Sequence, residues 1–261
     1  MATIVGRVRF EVNMATQGNN ARVGVVLAAG MGVRLASQGA SSSVKPLIQI
    51  HGVPLLLRTL RSLETAGRER IVVVIGHQAE TVRRGIENHY KGPMRIEFAY
   101  NHNFTLQNGI SVLCARPFVD DEFVLTMADH ILDDDIMRQV SRHHPPRGGA
   151  TLCVDYKVDE IFDIDDATKV LERNGSIVAI GKRLQRYNCI DTGVFVATPA
   201  LMDAIEQVFV ETGDASLSNG IALLAASGVM NVLDIGDAFW QDVDTPEMLA
   251  HAEENVALAA A

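Results

Sequence analysis

Cysteine is scarce in this chain of 261 residues: Cys114, Cys153 and Cys189 are odd in number, widely spaced and form no Cys-x-x-Cys pair. That usage speaks against a disulfide framework and for a reducing, cytoplasmic setting. Long apolar runs are missing as well. No stretch approaches the roughly 20 residues of a membrane helix, and the N-terminal segment lacks the continuous apolar core of a signal peptide, so no membrane insertion is expected. Positive charge is in deficit, with 23 Lys and Arg against 32 Asp and Glu for a net −9. The deficit argues against nucleic acid as partner, although a local cationic pocket on an acidic surface still suits a small anionic substrate. Aromatic residues are few, with one Trp and four Tyr, which counts against a site that cages a quaternary ammonium.

What the chain does have is alternation of strand-like and helix-like segments. Ile71-Val72-Val73-Val74-Ile75 is the β-branched run of a parallel strand covered on both faces. It ends at Gly76, with a helix expected from near Gln78. Leu56, Leu60 and Leu63 repeat at helical spacing between Pro54 and Ala66, and Gly67 ends that helix. Further strands are expected at Arg95 to Tyr100 and Glu122 to Met127. Asp133 reads as the N-cap of a helix reaching about His143, with Asp134 and Asp135 in its first turn, so this acid run needs no metal to account for it. Pro145-Pro146-Arg147-Gly148-Gly149 breaks the pattern into two halves. Beyond it, strands are expected near 150–155, 177–180 and 191–196, a hairpin turn at Asn174-Gly175, and helices near 199–210, 216–227 and 245–258. The fold class is therefore α/β, a Rossmann-like mixed, mainly parallel sheet with helices on both faces. Residues 1–22 stand apart as an N-terminal extension: Thr3 to Val12 alternates like a strand, and Gln17-Gly18-Asn19-Asn20 reads as flexible linker.

The chemistry is concentrated in three distant segments. Val25-Val26-Leu27-Ala28-Ala29 is a buried-type strand running into Gly30-Met31-Gly32-Val33-Arg34-Leu35; Lys45-Pro46-Leu47 follows, and Met127-Ala128-Asp129-His130 comes much later. Glycine at 30 and 32 lets the backbone turn sharply and bring N–H groups against phosphate oxygens. Arg34 and Lys45 supply positive charge that amides alone do not, the first as a planar fork and the second as a point charge. A Rossmann fingerprint fails because Leu35 stands where a third small residue belongs, and no Gly-Lys-Ser/Thr follows to make a Walker loop.

Leu27-Ala28-Ala29-Gly30-x-Gly32-x-Arg34 followed by Lys45-Pro46-Leu47 resembles the signature of the sugar-nucleotidyltransferase superfamily. Two later stretches are similar, more narrowly, to the CTP:inositol-1-phosphate cytidylyltransferases. They are Asp166-Ala167-Thr168-Lys169-Val170 and Ile180-Gly181-Lys182-x-Leu184-x-x-Tyr187-Asn188-x-Ile190-Asp191-Thr192-Gly193-x-Phe195. The resemblance spans residues 22–250 with order and spacing kept. It implies the nucleotidyltransferase type A fold on one domain, residues 23–261, with a nucleotide-binding half (23–145) and an acceptor-binding half (146–261). It further implies Mg²⁺-dependent transfer of CMP from CTP to a small phosphorylated alcohol, first of all inositol 1-phosphate, releasing pyrophosphate.

Residue roles follow on that basis. Leu27, Ala28, Ala29, Gly30, Gly32, Arg34 and Lys45 would hold the triphosphate. Gly76, His77, Asn108, Gly109 and Ser111, helped by Asn103 and Gln107, would meet base or ribose, because loops after neighbouring strands gather at one crevice. Asp129 would bind Mg²⁺ with a second acid from Asp242 or Asp244, which share a face of an extended segment; Asp244 is preferred, and it also suits a helix cap ahead of Pro246. Arg34, Lys45 and Lys182 would be catalytic, and Lys182 and Asp191 would receive the acceptor. His130 is placed either beside the metal shell or in a structural role, and adjacent His143 and His144 diverge too far on a helix to ligate zinc together.

Alternatives remain open at this level. A hydroxyethyl- or aminoethylphosphonate offers the same attacking oxyanion, and phosphocholine would need a site for its ammonium. A non-catalytic nucleotide-binding module and a dehydrogenase are the other classes, the second disfavoured by Leu35. The Ser/Gly-rich stretch Ala36 to Val44 is expected to be a lid that orders with CTP, and the Val256-Ala257-Leu258 tail leaves an oligomer open.

Overall fold

The strand Val23–Ala28 is buried along its whole length, and its alternate side chains enter two different cores. Val25 and Leu27 join Val72, Val74, Phe123, Leu125 and Phe195, whereas Val26 and Ala28 join Ile71, Val73, Ile75, Val124 and Val196. A period of two with both faces apolar is what a parallel strand with helices above and below requires. The computed structural model describes residues 3–5, 8–10, 22–36 and 44–259.

The main sheet runs, in spatial order, Arg95–Tyr100, Arg70–Ile75, Val23–Ala28, Phe123–Met127, Cys189–Ala197, Ala150–Asp155 and Met230–Asp234. The first four are parallel, Cys189–Ala197 is antiparallel to both its neighbours, and the last two run with the first four. The sheet is therefore mixed and mainly parallel, as expected. A hairpin of Lys169–Arg173 and Ser176–Gly181 joins it by pairing with the start of Cys189–Ala197. Its turn lies at Asn174-Gly175, both left-handed with φ of 55° and 80°, the conformation whose twist suits a two-residue hairpin.

Helices Leu55–Thr65, Ala79–His89 and Asp134–Val140 pack on the Val26 face. Asn108–Cys114, Ala200–Thr212 and Leu217–Ala226 pack on the Val25 face. Asp133 caps its helix by accepting from the Asp135 N–H. That helix ends at Val140, short of the expected His143, whose Nε2 instead meets Thr151 Oγ1 at 2.9 Å.

Three features were not expected. Met230–Asp234 is a strand, and His130–Leu132 pairs with Trp240–Asp242 so that Asp242 stands opposite His130. Within Thr3 to Val12 the chain makes two short antiparallel strands, with Val5 opposite Val8, rather than one. The linker at 17–20 and positions 37–43 of the expected lid lie outside the described residues. Among the described residues no helix is long and apolar enough to cross a membrane, and all three cysteines are buried and unpaired.

Candidate active site

Val23–Ala28 and Phe123–Met127 lie side by side with Leu27 opposite Met127, so the segments that follow them leave the sheet together. One becomes the glycine loop and the other Asp129, at the carboxyl end where open α/β sheets form their crevice. The Trp240–Asp242 strand then brings the second acidic segment back to this point, and the Val243 N–H donates to the Asp129 carbonyl at 3.0 Å.

Charges of alternating sign meet here. Lys45 Nζ donates to both Asp129 and Asp244. Arg34 donates to Asp244 and, at 2.8 Å, to Asp166. Lys182 Nζ reaches the other Asp166 oxygen at 2.7 Å, and His130 Nδ1 lies 2.8 Å from Asp129. The chain of contacts His130, Asp129, Lys45, Asp244, Arg34, Asp166, Lys182 thus links the two halves of the molecule. Gly32 makes it possible: its φ is +60°, and a Cβ there would stand 2.6 Å from Lys45 Cβ.

The surroundings tune these groups unequally. Burial pushes the Asp129 carboxyl up, but the charge of Lys45 and the His130 bond outweigh it and hold the group well below the usual carboxylate range. Burial likewise lowers Lys45, yet Asp129 and Asp244 leave it raised. Asp242 is raised, first by burial and then, against the pull of His130, by its neighbours Asp244 and Asp129. Asp191 is raised to about 6 by burial, although it accepts from the Gly193 N–H at 2.8 Å.

Two adjoining clefts carry the remaining residues. The first, about 420 Å³, is lined by Leu27, Ala29, Gly30, Asn108, Ser111, Asp129, Lys182, Asp191, Asp242 and Asp244 among the expected residues. The second, about 270 Å³, is lined by Leu27, Ala28, Gly30, Gly32, Arg34, Lys45, Asp129 and Asp244. Among the described residues a Cβ on Gly30 would meet nothing within 4 Å.

Gly76, His77 and Gly109 line neither cleft. Gly76 packs on Ala29 and Phe104, and the His77 N–H holds the Ala29 carbonyl at 3.0 Å. Gly109 abuts the Ala215 carbonyl where two helices meet. Asn108 Oδ1 accepts from the Leu217 N–H at 2.9 Å and Ser111 Oγ from Asn101 at 2.9 Å, so each offers the cleft its remaining hydrogen-bonding capacity.

Sequence reasoning missed Asp166, which was quoted only within a motif. It also missed the lower wall of the large cleft, where Trp240 Nε1 and Lys157 Nζ both donate to Asp155 at 2.9 Å and Phe162 stacks on His251 at 4.3 Å. The chain's one Trp therefore faces the site, something a whole-chain count of aromatics cannot reveal.

An α/β sheet carrying a glycine loop, clustered cations and convergent acids at its strand ends defines a nucleotidyltransferase of the nucleotide-diphospho-sugar transferase fold. The MobA-like NTP transferase domain family matches residues 24–219, and the chain belongs to that family. A bifunctional IPC transferase and DIPP synthase of Rubrobacter xylanophilus is 36% identical over 248 residues, covering 92% of this chain and 53% of that protein. The chain thus spans about half the length of that relative. The inositol-1-phosphate CTP transferase of T. maritima superposes with a TM-score of 0.80 at 28% identity, covering 92% of this chain and 96% of that one. A 2-aminoethylphosphonate cytidylyltransferase of Lancefieldella rimae is 29% identical over 213 residues, covering 77% of this chain and 79% of that protein.

Proposed function

We propose that this chain transfers CMP from CTP to inositol 1-phosphate, as a cytoplasmic enzyme supplying CDP-inositol. The carrying observation is the unbroken run of ionic contacts from Asp129 through Lys45, Asp244, Arg34 and Asp166 to Lys182, which joins a phosphate loop to a cation of the second half. The likeness to the T. maritima enzyme over nearly the whole chain supports the choice of substrates.

In this reading an acceptor phosphate oxygen forms a bond to the α-phosphorus of CTP while the bond to the bridging oxygen of pyrophosphate breaks. A phosphate monoester is already nucleophilic near neutral pH, so no activating base is needed, and the protein's work is positioning and charge compensation. Lys45 and Arg34 hold charge on the triphosphate, and Lys182 draws in the acceptor phosphate. Ala29, Gly30 and Gly32 leave room for phosphate against the backbone.

The donor set also fits magnesium. Asp129 and Asp244 already converge on one cation, the Lys45 ammonium, and magnesium takes one or two carboxylates with the remainder from phosphate and water. Among the described residues no group of three or more His, Cys, Asp or Glu side chains that could hold a metal ion is gathered. When bound, magnesium would neutralise phosphate charge and align the triphosphate with the acceptor.

A second reading has its own observation. Acids and aromatics line the large cleft, including Glu160, Asp163, Phe162 and Trp240, which would suit a cationic acceptor such as 2-aminoethylphosphonate or phosphocholine. Pyrophosphate release with Mg²⁺ is therefore measured for the four NTPs, each with inositol 1-phosphate, phosphocholine, 2-hydroxyethylphosphonate and 2-aminoethylphosphonate. Turnover with CTP and inositol 1-phosphate alone is the expected result. Preference for a phosphonate would reassign the acceptor, and silence throughout would leave a nucleotide-binding module.

A further inference from the structure

The two cations assigned above to donor and acceptor phosphates, Arg34 and Lys182, come from opposite halves of the chain and share one carboxylate. Asp166 Oδ2 accepts from Arg34 at 2.8 Å and Asp166 Oδ1 from Lys182 at 2.7 Å. Both cations sit on long side chains that are about half exposed, 50% and 55%. Such side chains carry large rotamer freedom and must be restrained if two phosphates are to meet in a reactive geometry.

Asp166 is the fixed member of the group. Its own N–H donates to Asp163 Oδ1 at 3.3 Å, and the Ala167 N–H donates to the Asp163 carbonyl at 3.1 Å. Buried Lys169 donates through Nζ to the Asp165 carbonyl at 3.0 Å. The Asp191 N–H holds the Thr168 carbonyl at 2.9 Å, tying the loop to the strand Cys189–Ala197. The loop is thus braced before and after Asp166, whereas the cations reach in from outside it.

Resting on the transferase reading, we propose that Asp166 is a positioning residue that sets the spacing between Arg34 and Lys182 and so the approach of acceptor phosphate to α-phosphate. It need touch neither substrate. Ion pairs this exposed contribute little to folding, so the consequence falls on turnover rather than stability. Because the spacing matters only when both phosphates are in place, kcat carries the effect and each KM is nearly spared.

The test compares wild type with Asp166→Asn and Asp166→Glu for kcat, for KM toward CTP and toward the acceptor, and for thermal midpoint. The expected result for Asp166→Asn is a fall in kcat of about 10- to 100-fold, with both KM values within about threefold of wild type and an unchanged midpoint. Asp166→Glu should recover part of the loss. In a Lys182→Ala, Arg34→Ala background Asp166→Asn should cost nothing more, since the groups it positions are gone.

Wild-type kcat in Asp166→Asn would overturn the proposal. So would a loss confined to one KM, which would make Asp166 a binding residue for that substrate, or a collapsed midpoint in both variants, which would make it a loop brace. An inactive wild type with every acceptor would instead remove the transferase reading itself.

Discussion

The Lys45 ammonium and the Asp244 carboxylate, 199 positions apart in sequence, are hydrogen-bonded. Since Asp129 accepts from the same ammonium, one cation bridges two acids. Replacing it in Lys45→Ala leaves both carboxylates facing each other in a cleft where Asp129 and Asp244 are only 26% and 19% exposed. The expected outcome is a fall in kcat/KM of about 100-fold or more, the usual cost of losing one preorganised charge-stabilising donor, with a lowered thermal midpoint. Retention of most transferase activity would remove Lys45 from the chemistry.

The acids should separate by their response to magnesium. Asp129→Asn and Asp244→Asn each weaken a site that has two carboxylates in reach of one cation, and each should raise the Mg²⁺ concentration for half-maximal activity by about 10-fold or more. Asp242 stands opposite His130 rather than on the Lys45 ammonium and is raised first by burial, so Asp242→Asn should shift that concentration least. A Mg²⁺ titration of the three variants in which Asp242→Asn is the worst would transfer the metal to Asp242.

Much of this architecture can be read before any coordinates exist, and the reasons are local. The run Ile71 to Ile75 has no polar face to give to solvent, so it belongs in a strand covered on both sides, and Asn174-Gly175 supplies two residues that tolerate left-handed φ. What stays hidden depends on tertiary placement. Alternation in Cys189–Ala197 carries no direction, and so does not disclose that this strand runs antiparallel between Phe123–Met127 and Ala150–Asp155. Asp166 sits in sequence among Asp159, Glu160, Asp163 and Asp165, where one more acid looks like solvated loop. The approach of Arg34 across 132 positions and of Lys182 from the neighbouring hairpin distinguishes it.

Gly30 and Gly32 look interchangeable in sequence, yet they should fail differently. A methyl at 32 is forced into left-handed φ and onto Lys45 Cβ, at 2.6 Å. Gly32→Ala should therefore lower stability by roughly 1–2 kcal/mol and displace Lys45, losing activity with it. A methyl at 30 meets no atom of the other described residues within 4 Å. Gly30→Ala should fold with a wild-type midpoint and show weakened CTP binding, because the methyl occupies space left to the nucleotide. Calorimetric titration with CTP alongside thermal melts decides both. Equal melts with equal CTP affinity in the two variants would show that neither glycine is held by the constraint described.

The last prediction concerns pH. Burial pushes the Asp191 carboxyl up to about 6, whereas in the unfolded chain it titrates near 3.9, roughly the value of free aspartate. Between those two values the folded state binds the extra proton, so this group makes stability fall as pH rises, and the penalty is fully present above the folded value. Asp191→Asn keeps an oxygen for the Gly193 N–H, which Asp191 Oδ1 now accepts, and carries no charge to bury. At pH 7.5 the variant should be more stable than wild type by on the order of 2 kcal/mol, and the difference should close as pH falls below about 4. Urea denaturation of both proteins across that range is the measurement. Parallel stability curves would mean that Asp191 is solvated enough in the folded protein to ionise as it does in water, and that the cleft around it is wetter than its burial implies.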